Sequence, residues 1–150
     1  MHAFIADVHL RPSHPHDRRR FLGGLEMLKA RAEKIYILGD LFEYWYTGME
    51  DEMGDIVAAL TDPGIQIMRG NRDFLLSPSF PGLIEGEELR IEIQGQRILA
   101  SHGHMLTQGD IGFKCLHAVG WPLLRLLDRH MKPEFKRSLA EHLVRSSAVI

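Results

Sequence analysis

One cysteine, Cys115, is all the thiol that the 150 residues contain. An intrachain disulfide is excluded, a thiolate-zinc cluster is excluded with it, and a reducing compartment is favoured. Long apolar runs are also missing. Nothing approaches the ~20 apolar residues of a membrane-spanning helix. The opening apolar stretch, Ala3 to Ala6, is cut by Asp7 and is too short for a secretory signal. A cytosolic protein is the expectation. Repeats and low-complexity segments are absent, and neither sign of charge dominates, the net being −2. A chain of this length forms one domain and can bury roughly two-thirds of its unfolded surface.

The charge is nevertheless uneven. Residues 1–110 hold 11 Lys/Arg against 17 Asp/Glu, whereas residues 111–150 hold 7 against 3. An acidic body with a basic tail points to metal in the first part and an anionic partner at the second. Nucleic acid is not the expected partner, because the basic residues sit in an apolar-rich tail with no recognised nucleic-acid motif. No protein partner is implied.

Short apolar runs alternate with helical patterns, which predicts an α/β fold. The predicted strands are Ala3–Ala6, Ile35–Leu38, Ile65–Met68, Leu89–Ile93 and Arg97–Ala100, the last two joined by a turn at Gln94-Gly95-Gln96. One helix is expected from Asp17 as N-cap, with Phe21, Leu25 and Leu28 on one face. A second sets Met53, Ile56, Val57 and Leu60 at helical spacing and stops at Asp62-Pro63-Gly64. After Ile111, leucines and Trp121 interleave with Arg125, Arg129 and Lys132. Pro122 and Pro133 divide this stretch into helical pieces, the last from about Glu134 with Phe135, Leu139 and Leu143 on one face.

The chemistry lies where four predicted strands end. Ala3–Ala6 runs into Asp7-Val8-His9, Ile35–Leu38 into Gly39-Asp40, Ile65–Met68 into Arg69-Gly70-Asn71-Arg72-Asp73, and Arg97–Ala100 into Ser101-His102-Gly103-His104. In open α/β sheets the carboxyl ends of the strands line the ligand crevice, so these segments can converge. Asp7 and His9 are two apart and can share a face in extended chain. Glycines before Asp40 and Asn71 allow close backbone approach. Carboxylates, an amide oxygen and imidazoles without thiolate suit Mn²⁺, Mg²⁺, Fe or Zn, and ions paired ~3.5–4 Å apart can clamp a phosphoryl group. Each residue alone has a plainer role. Asp40 could be a turn former, Asn71 a left-handed turn residue, and His102 a hydrogen-bonded histidine. It is the joint occurrence of four such segments that points to metal.

The ordered set D-x-H, G-D, G-N-x-D and H-G resembles the calcineurin-like metallophosphoesterases. The stretches F-I-A-D-V-H-L, Y-I-L-G-D-L-F-E-Y-W and G-N-R-D-F-L-L resemble their UDP-2,3-diacylglucosamine hydrolase branch in lipid A biosynthesis, where Arg72 stands in place of the usual histidine. The resemblance runs from Phe4 to about Ser147. It implies a metallophosphoesterase-like β-sandwich flanked by helices, with residues 1–110 as an incomplete core and 111–150 as a helical lid. It further implies two divalent ions, with Mn²⁺ the expected identity. Asp7 and His9 would bind the first ion, Asp40 would bridge, and Asn71 and His102 would bind the second. Asn71, Arg72, Asp110 and, by a weaker alignment, Ser147 would contact substrate. That substrate would be a lipid-linked UDP-sugar, cleaved at its pyrophosphate to UMP and 2,3-diacylglucosamine 1-phosphate. The amphipathic lid composition agrees with a peripheral enzyme at the cytoplasmic face of the inner membrane.

Two features depart from the family. Its late G-H-x-H segment, which gives a histidine to each ion, does not occur before Ile150, so a truncated chain with an incomplete ligand set is expected. His104 replaces the branch's usual aspartate and is a possible extra ligand, while Phe113 replaces a tyrosine. The alternatives are a metallophosphoesterase of other specificity, or a non-catalytic remnant that holds lipid or one metal without turnover. His14, His16, His117, His130 and His142 are expected to be surface or lid histidines.

Overall fold

A computed structural model describes residues 1–104 and 120–147, without the side chains of Pro133, Leu143, Arg145, Ser146 and Ser147. Strands β1 (His2–Ile5), β2 (Lys34–Leu38) and β3 (Ile65–Met68) form a parallel sheet in that order. Helix α1 (Pro15–Lys29) and helix α2 (Gly54–Ala59) belong to the β1–β2 and β2–β3 connections. Strands β4 (Leu89–Ile93) and β5 (Gln96–Ala100) form an antiparallel hairpin. Gln94 and Gly95 turn it with φ of 53° and 77°, the double positive φ that a two-residue hairpin turn demands. Helices α3 (Trp121–His130) and α4 (Pro133–Ser147) close the described chain.

The central strand β2 shows why its sequence reads as a continuous apolar run. Ile35 and Ile37 enter the larger core with Leu25, Ile56, Leu60 and Ile67, on the side of α1 and α2. Tyr36 faces the other way and joins Met68, Leu38, Leu89, Ile91 and Ala100, on the side of the hairpin. A parallel strand covered on both faces has no polar face to alternate with. The expected sandwich is thus present as a three-stranded sheet against a two-stranded one, among the described residues.

Two helix details differ from expectation. Helix α1 starts at Pro15, not after Asp17: Pro15 lacks the N–H that a first helical position leaves unbonded anyway, and Asp17 lies in the first turn, where its charge suits the helix dipole. Helix α4 buries Lys136 and packs Ala140 and Val144 on the core, whereas Phe135 is 61% exposed. The docked face carries polar partners as well as apolar ones. Lys136 Nζ donates to Thr47 O at 3.0 Å and pairs with Asp128 at 3.4 Å, and Asp128 in turn accepts from the Thr47 backbone N–H and hydroxyl. On α3, Trp121 stacks on Phe74 with centroids 4.3 Å apart, while Leu123, Leu126 and Leu127 stay exposed. No helix among the described residues is long and apolar enough to cross a membrane.

Candidate metal centre

The loops leaving β1 and β2 continue side by side beyond the sheet. Asp7 N–H donates to Gly39 O, His9 N–H to Asp40 O at 3.0 Å, Leu10 N–H to Leu41 O at 2.9 Å, and Glu43 N–H returns to Leu10 O. The β2 loop is anchored by burial: Leu41, Phe42, Trp45 and Tyr46 lie in the core, and Phe42 and Trp45 pack with centroids 4.5 Å apart. This zipper forces an uncommon backbone. Asp7, His9 and Asp40 have φ of 54°, 55° and 51°. Non-glycine residues in this region cost free energy and concentrate where function requires the geometry.

Two glycines fit by contact rather than by flexibility alone. A Cβ on Gly39, at φ +93°, would lie 2.8 Å from the His102 ring. One on Gly70 would lie 2.0 Å from Asp40 Oδ1. The backbone of the third segment therefore presses directly against the carboxylate of the second.

Three separate strand ends meet here. Asp7, Asp40 and His102 each offer a ligand atom, and these atoms all lie within 4.8 Å of one another. Asp7 is exposed, Asp40 is buried, and His102 lies between. Asn71 joins through Oδ1, 3.0 Å from His102 Nε2. His9 stands beside them, with Nε2 3.9 Å from Asp7 Oδ1. Arg72 contributes its backbone N–H to Asp40 Oδ1 at 2.9 Å, and its guanidinium reaches Glu43 Oε1 at 3.6 Å.

The proton inventory around His102 asks for a cation. Nδ1 lies 2.9 Å from the Leu38 carbonyl, which can only accept, so Nδ1 carries hydrogen. Nε2 then faces Asn71 Oδ1 and, at 3.5 Å, Asp40 Oδ1, which are also acceptors. With Asn71 presenting its oxygen, a second proton or a metal ion completes this arrangement. In the metal-free molecule the proton is favoured: the Asp40 carboxylate raises His102 above the ordinary imidazole value, against a smaller opposing effect of burial. Burial pushes Asp40 upward, yet bonds from His102 and the Arg72 N–H, with the charges of His102 and His9, leave it below the ordinary carboxylate value. Deprotonated and metal-loaded, the same oxygens and imidazole form a hard, anionic donor set.

Other residues named from sequence fall elsewhere. His104 sits next to His102, with ring centroids 5.2 Å apart, but its Nε2 turns to Glu87 at 3.3 Å, and it is not part of the Asp7–Asp40–His102 group. His14, His16, His130 and His142 are exposed. Asp110, Phe113 and His117 lie outside the described residues, as does the Ser147 side chain. Two acids matter that the sequence reading gave no role. Asp73, fully buried, accepts from Gly70 N–H at 2.7 Å, Leu41 N–H at 2.9 Å and Phe42 N–H at 3.3 Å, tying the second and third segments together. Glu43, 7% exposed, lies against His9, Arg11 and Arg72. Its signal was legible: it is the one charged residue in the buried run Leu41–Tyr46.

Curated relatives were found, although no protein-family model matches the chain. A protein of Chromobacterium violaceum, 39% identical over 127 residues, aligns with 77% of this chain and 53% of its own length. One of Ectopseudomonas mendocina is 33% identical over 153 residues, covering 93% of this chain and 62% of the relative. One of Escherichia coli O7:K1 is 38% identical over 127 residues, covering 77% and 52%. Each is named UDP-2,3-diacylglucosamine hydrolase. The chain spans between about half and two-thirds of the length of these relatives. A solved structure from Streptococcus pneumoniae TIGR4, a conserved uncharacterized protein described as a predicted phosphoesterase, matches over 79% of this chain and 52% of that chain. Its TM-score of 0.39 and identity of 19% are too low to carry fold or function.

Proposed function

We propose, on the premise that this chain is a homologue of the curated UDP-2,3-diacylglucosamine hydrolases, that it carries the metal centre of a two-metal hydrolase acting on UDP-2,3-diacylglucosamine. The products would be UMP and 2,3-diacylglucosamine 1-phosphate. The observation that carries this reading is the convergence of Asp7, Asp40 and His102 within 4.8 Å from three separate strand ends.

Asp7, His9 and Asp40 would hold one divalent ion, and Asp40, Asn71 and His102 a second; Mn²⁺ is the identity proposed for both. When bound, such ions acidify water and neutralise charge on a phosphoryl group. The chain's own groups set the geometry. The Leu38 carbonyl fixes the His102 ring so that Nε2 faces Asp40 and Asn71. The Arg72 N–H holds the Asp40 carboxylate. The Arg72 guanidinium, a planar fork, is the group suited to a substrate phosphate, with Asn71 beside it. Asp110 and Ser147 are proposed as further substrate contacts.

Residues 1–110 would form the catalytic core and residues 111–150 a lid over the acyl chains, working at the cytoplasmic face of the inner membrane. The exposed Leu123, Leu126, Leu127 and Phe135 beside exposed Arg129 and Lys132 support that reading, since an apolar face edged with basic residues suits a lipid–phosphate boundary.

A second reading is a chain that holds lipid or one metal without turnover. It is favoured by the donor count, because the described residues give each ion only three protein ligands. Calorimetric titration with Mn²⁺, together with an assay of UMP release beside an aryl phosphodiester control, separates the readings. Two ions per chain with UMP release support the hydrolase. No ion or one ion, without release, supports the holding role. Preferential turnover of the aryl diester indicates another specificity. Asp40→Ala and Asn71→Ala should abolish Mn²⁺-dependent turnover, and survival of activity in both would refute the centre.

A further inference from the structure

Glu43 follows the proposed ligand Asp40 by three residues but points to different partners. Its side chain is 9% exposed, and its two oxygens are divided. Oε2 lies 3.3 Å from His9 Nδ1 and 3.2 Å from Arg11 Nη2, while Oε1 lies 3.6 Å from Arg72 Nη1. One carboxylate thereby touches an imidazole from the β1 loop and a guanidinium from the β3 loop, and is itself fixed by the β2 loop. The backbone holds it there: Glu43 N–H bonds to Leu10 O, and Leu41, Phe42, Tyr44 and Trp45 around it are buried.

His9 Nδ1 is a buried atom that makes no hydrogen bond among the described residues. A buried N–H without a partner is costly, and the acceptor beside it is Glu43. The opposite nitrogen, Nε2, faces Asp7 Oδ1 at 3.9 Å, on the side of the proposed ions. Histidines that ligate a metal commonly donate the other ring N–H to a carboxylate, which fixes tautomer and ring orientation, and such contacts often tighten only when the site is loaded.

Resting on the metal reading above, we propose that Glu43 is a positioning residue: it holds His9 as the Nδ1–H tautomer, turns its Nε2 toward Asp7, and presets the Arg72 guanidinium. Arg11, 3.2 Å from Oε2, holds the buried carboxylate in place. The arrangement links the first ion's ligand loop to the proposed phosphate-binding arginine through one side chain. Removing the charge should loosen both ends while leaving Asn71 and His102 undisturbed.

Two measurements on the full chain test it. In the metal-free wild type, ¹⁵N shifts of the neutral His9 ring should report a proton on Nδ1 and a lone pair on Nε2. The Nε2–H tautomer would overturn the proposal, and this readout needs neither metal nor a variant. In Mn²⁺ titrations, Glu43→Gln should weaken one ion by roughly 10–100-fold and spare the other, with an unchanged circular dichroism spectrum. Wild-type affinity for both ions in Glu43→Gln, or equal loss of both, would overturn the positioning role alone. A wild type that binds no Mn²⁺ would instead overturn the metal reading, with the His9 tautomer still deciding what Glu43 does to the ring.

Discussion

The Nε2 of His102 lies 3.5 Å from Asp40 Oδ1 while the other ring nitrogen, Nδ1, is bonded to the Leu38 carbonyl at 2.9 Å. A histidine with one nitrogen committed to backbone and the other turned to a carboxylate can bind a proton or a metal at that second position, and not both.

The pair therefore gives a pH signature. Asp40 is held below the ordinary carboxylate value of 3.8, so its contribution to stability is present above that value and is lost as pH falls through its folded pKa. His102 is raised above 6.5, so its contribution is complete below 6.5 and is lost as pH rises through its folded pKa. The metal-free chain should draw most stability from this pair between those two values. Mn²⁺ affinity should run the other way above 6.5, rising with pH as the Nε2 proton leaves. Titration calorimetry across this range checks it, and a flat affinity would contradict the competition.

Gly70→Ala should remove metal binding. The new methyl would lie 2.0 Å from the side-chain Asp40 Oδ1 and 2.4 Å from the backbone Asp40 N, and the backbone atom cannot swing aside. The β2 and β3 loops must part, and we expect a loss of at least about 2 kcal/mol in urea unfolding, of the size seen for overpacking. Gly23→Ala is the control, because nothing lies within 4 Å of that position and it is helical, so it should be neutral or stabilising.

Asp73→Asn should destabilise the chain although it is nearly isosteric. Asp73 accepts on both oxygens, Oδ1 from Gly70 and Oδ2 from Leu41 and Phe42, and an amide nitrogen at either place would face N–H donors. Each stranded N–H costs about 1–3 kcal/mol. Burial, followed by the nearby Asp40 charge, raises the Asp73 carboxyl to about 6. Its contribution is complete below 3.8 and declines as pH rises through about 6, so the wild type should lose stability over that interval relative to Asp73→Asn. Denaturant midpoints of the two proteins at either end of the interval test the sign.

Asp128→Ala should release the two C-terminal helices. The substitution leaves Lys136, 7% exposed, with a buried ammonium whose carboxylate partner is gone, and strips the Thr47 N–H of its acceptor. Breaking one side of a buried pair costs about 3–5 kcal/mol. Limited proteolysis should cut within residues 120–147 well before the sheet opens. The double change Asp128→Ala with Lys136→Met should recover part of the loss, because it removes the stranded charge.

Much of this was legible before any coordinates. β3 and β4 lie where the apolar runs put them, and the other strands differ by a residue at their ends. The glycines at 39 and 70 serve the close approach that their place before Asp40 and Asn71 implied. Periodicity does not report how α4 docks, because the buried Lys136–Asp128 pair leaves no apolar repeat. The role of Asp73 was illegible for a related reason: its partners are backbone N–H groups, which no side-chain pattern encodes.

The amino-acid sequence by itself determined the alternation of strands and helices, and which residue types stand at the strand ends, since both follow from local spacing and side-chain chemistry. Tertiary structure alone decided that Asp7, Asp40 and His102 come within 4.8 Å, that His9 and Asp40 take positive φ, and that Glu43 reaches across to His9 and Arg72. Those relations join residues tens of positions apart. The parallel register of β1, β2 and β3 brings the ends of those strands side by side, and the end of β5, from the second sheet, delivers His102.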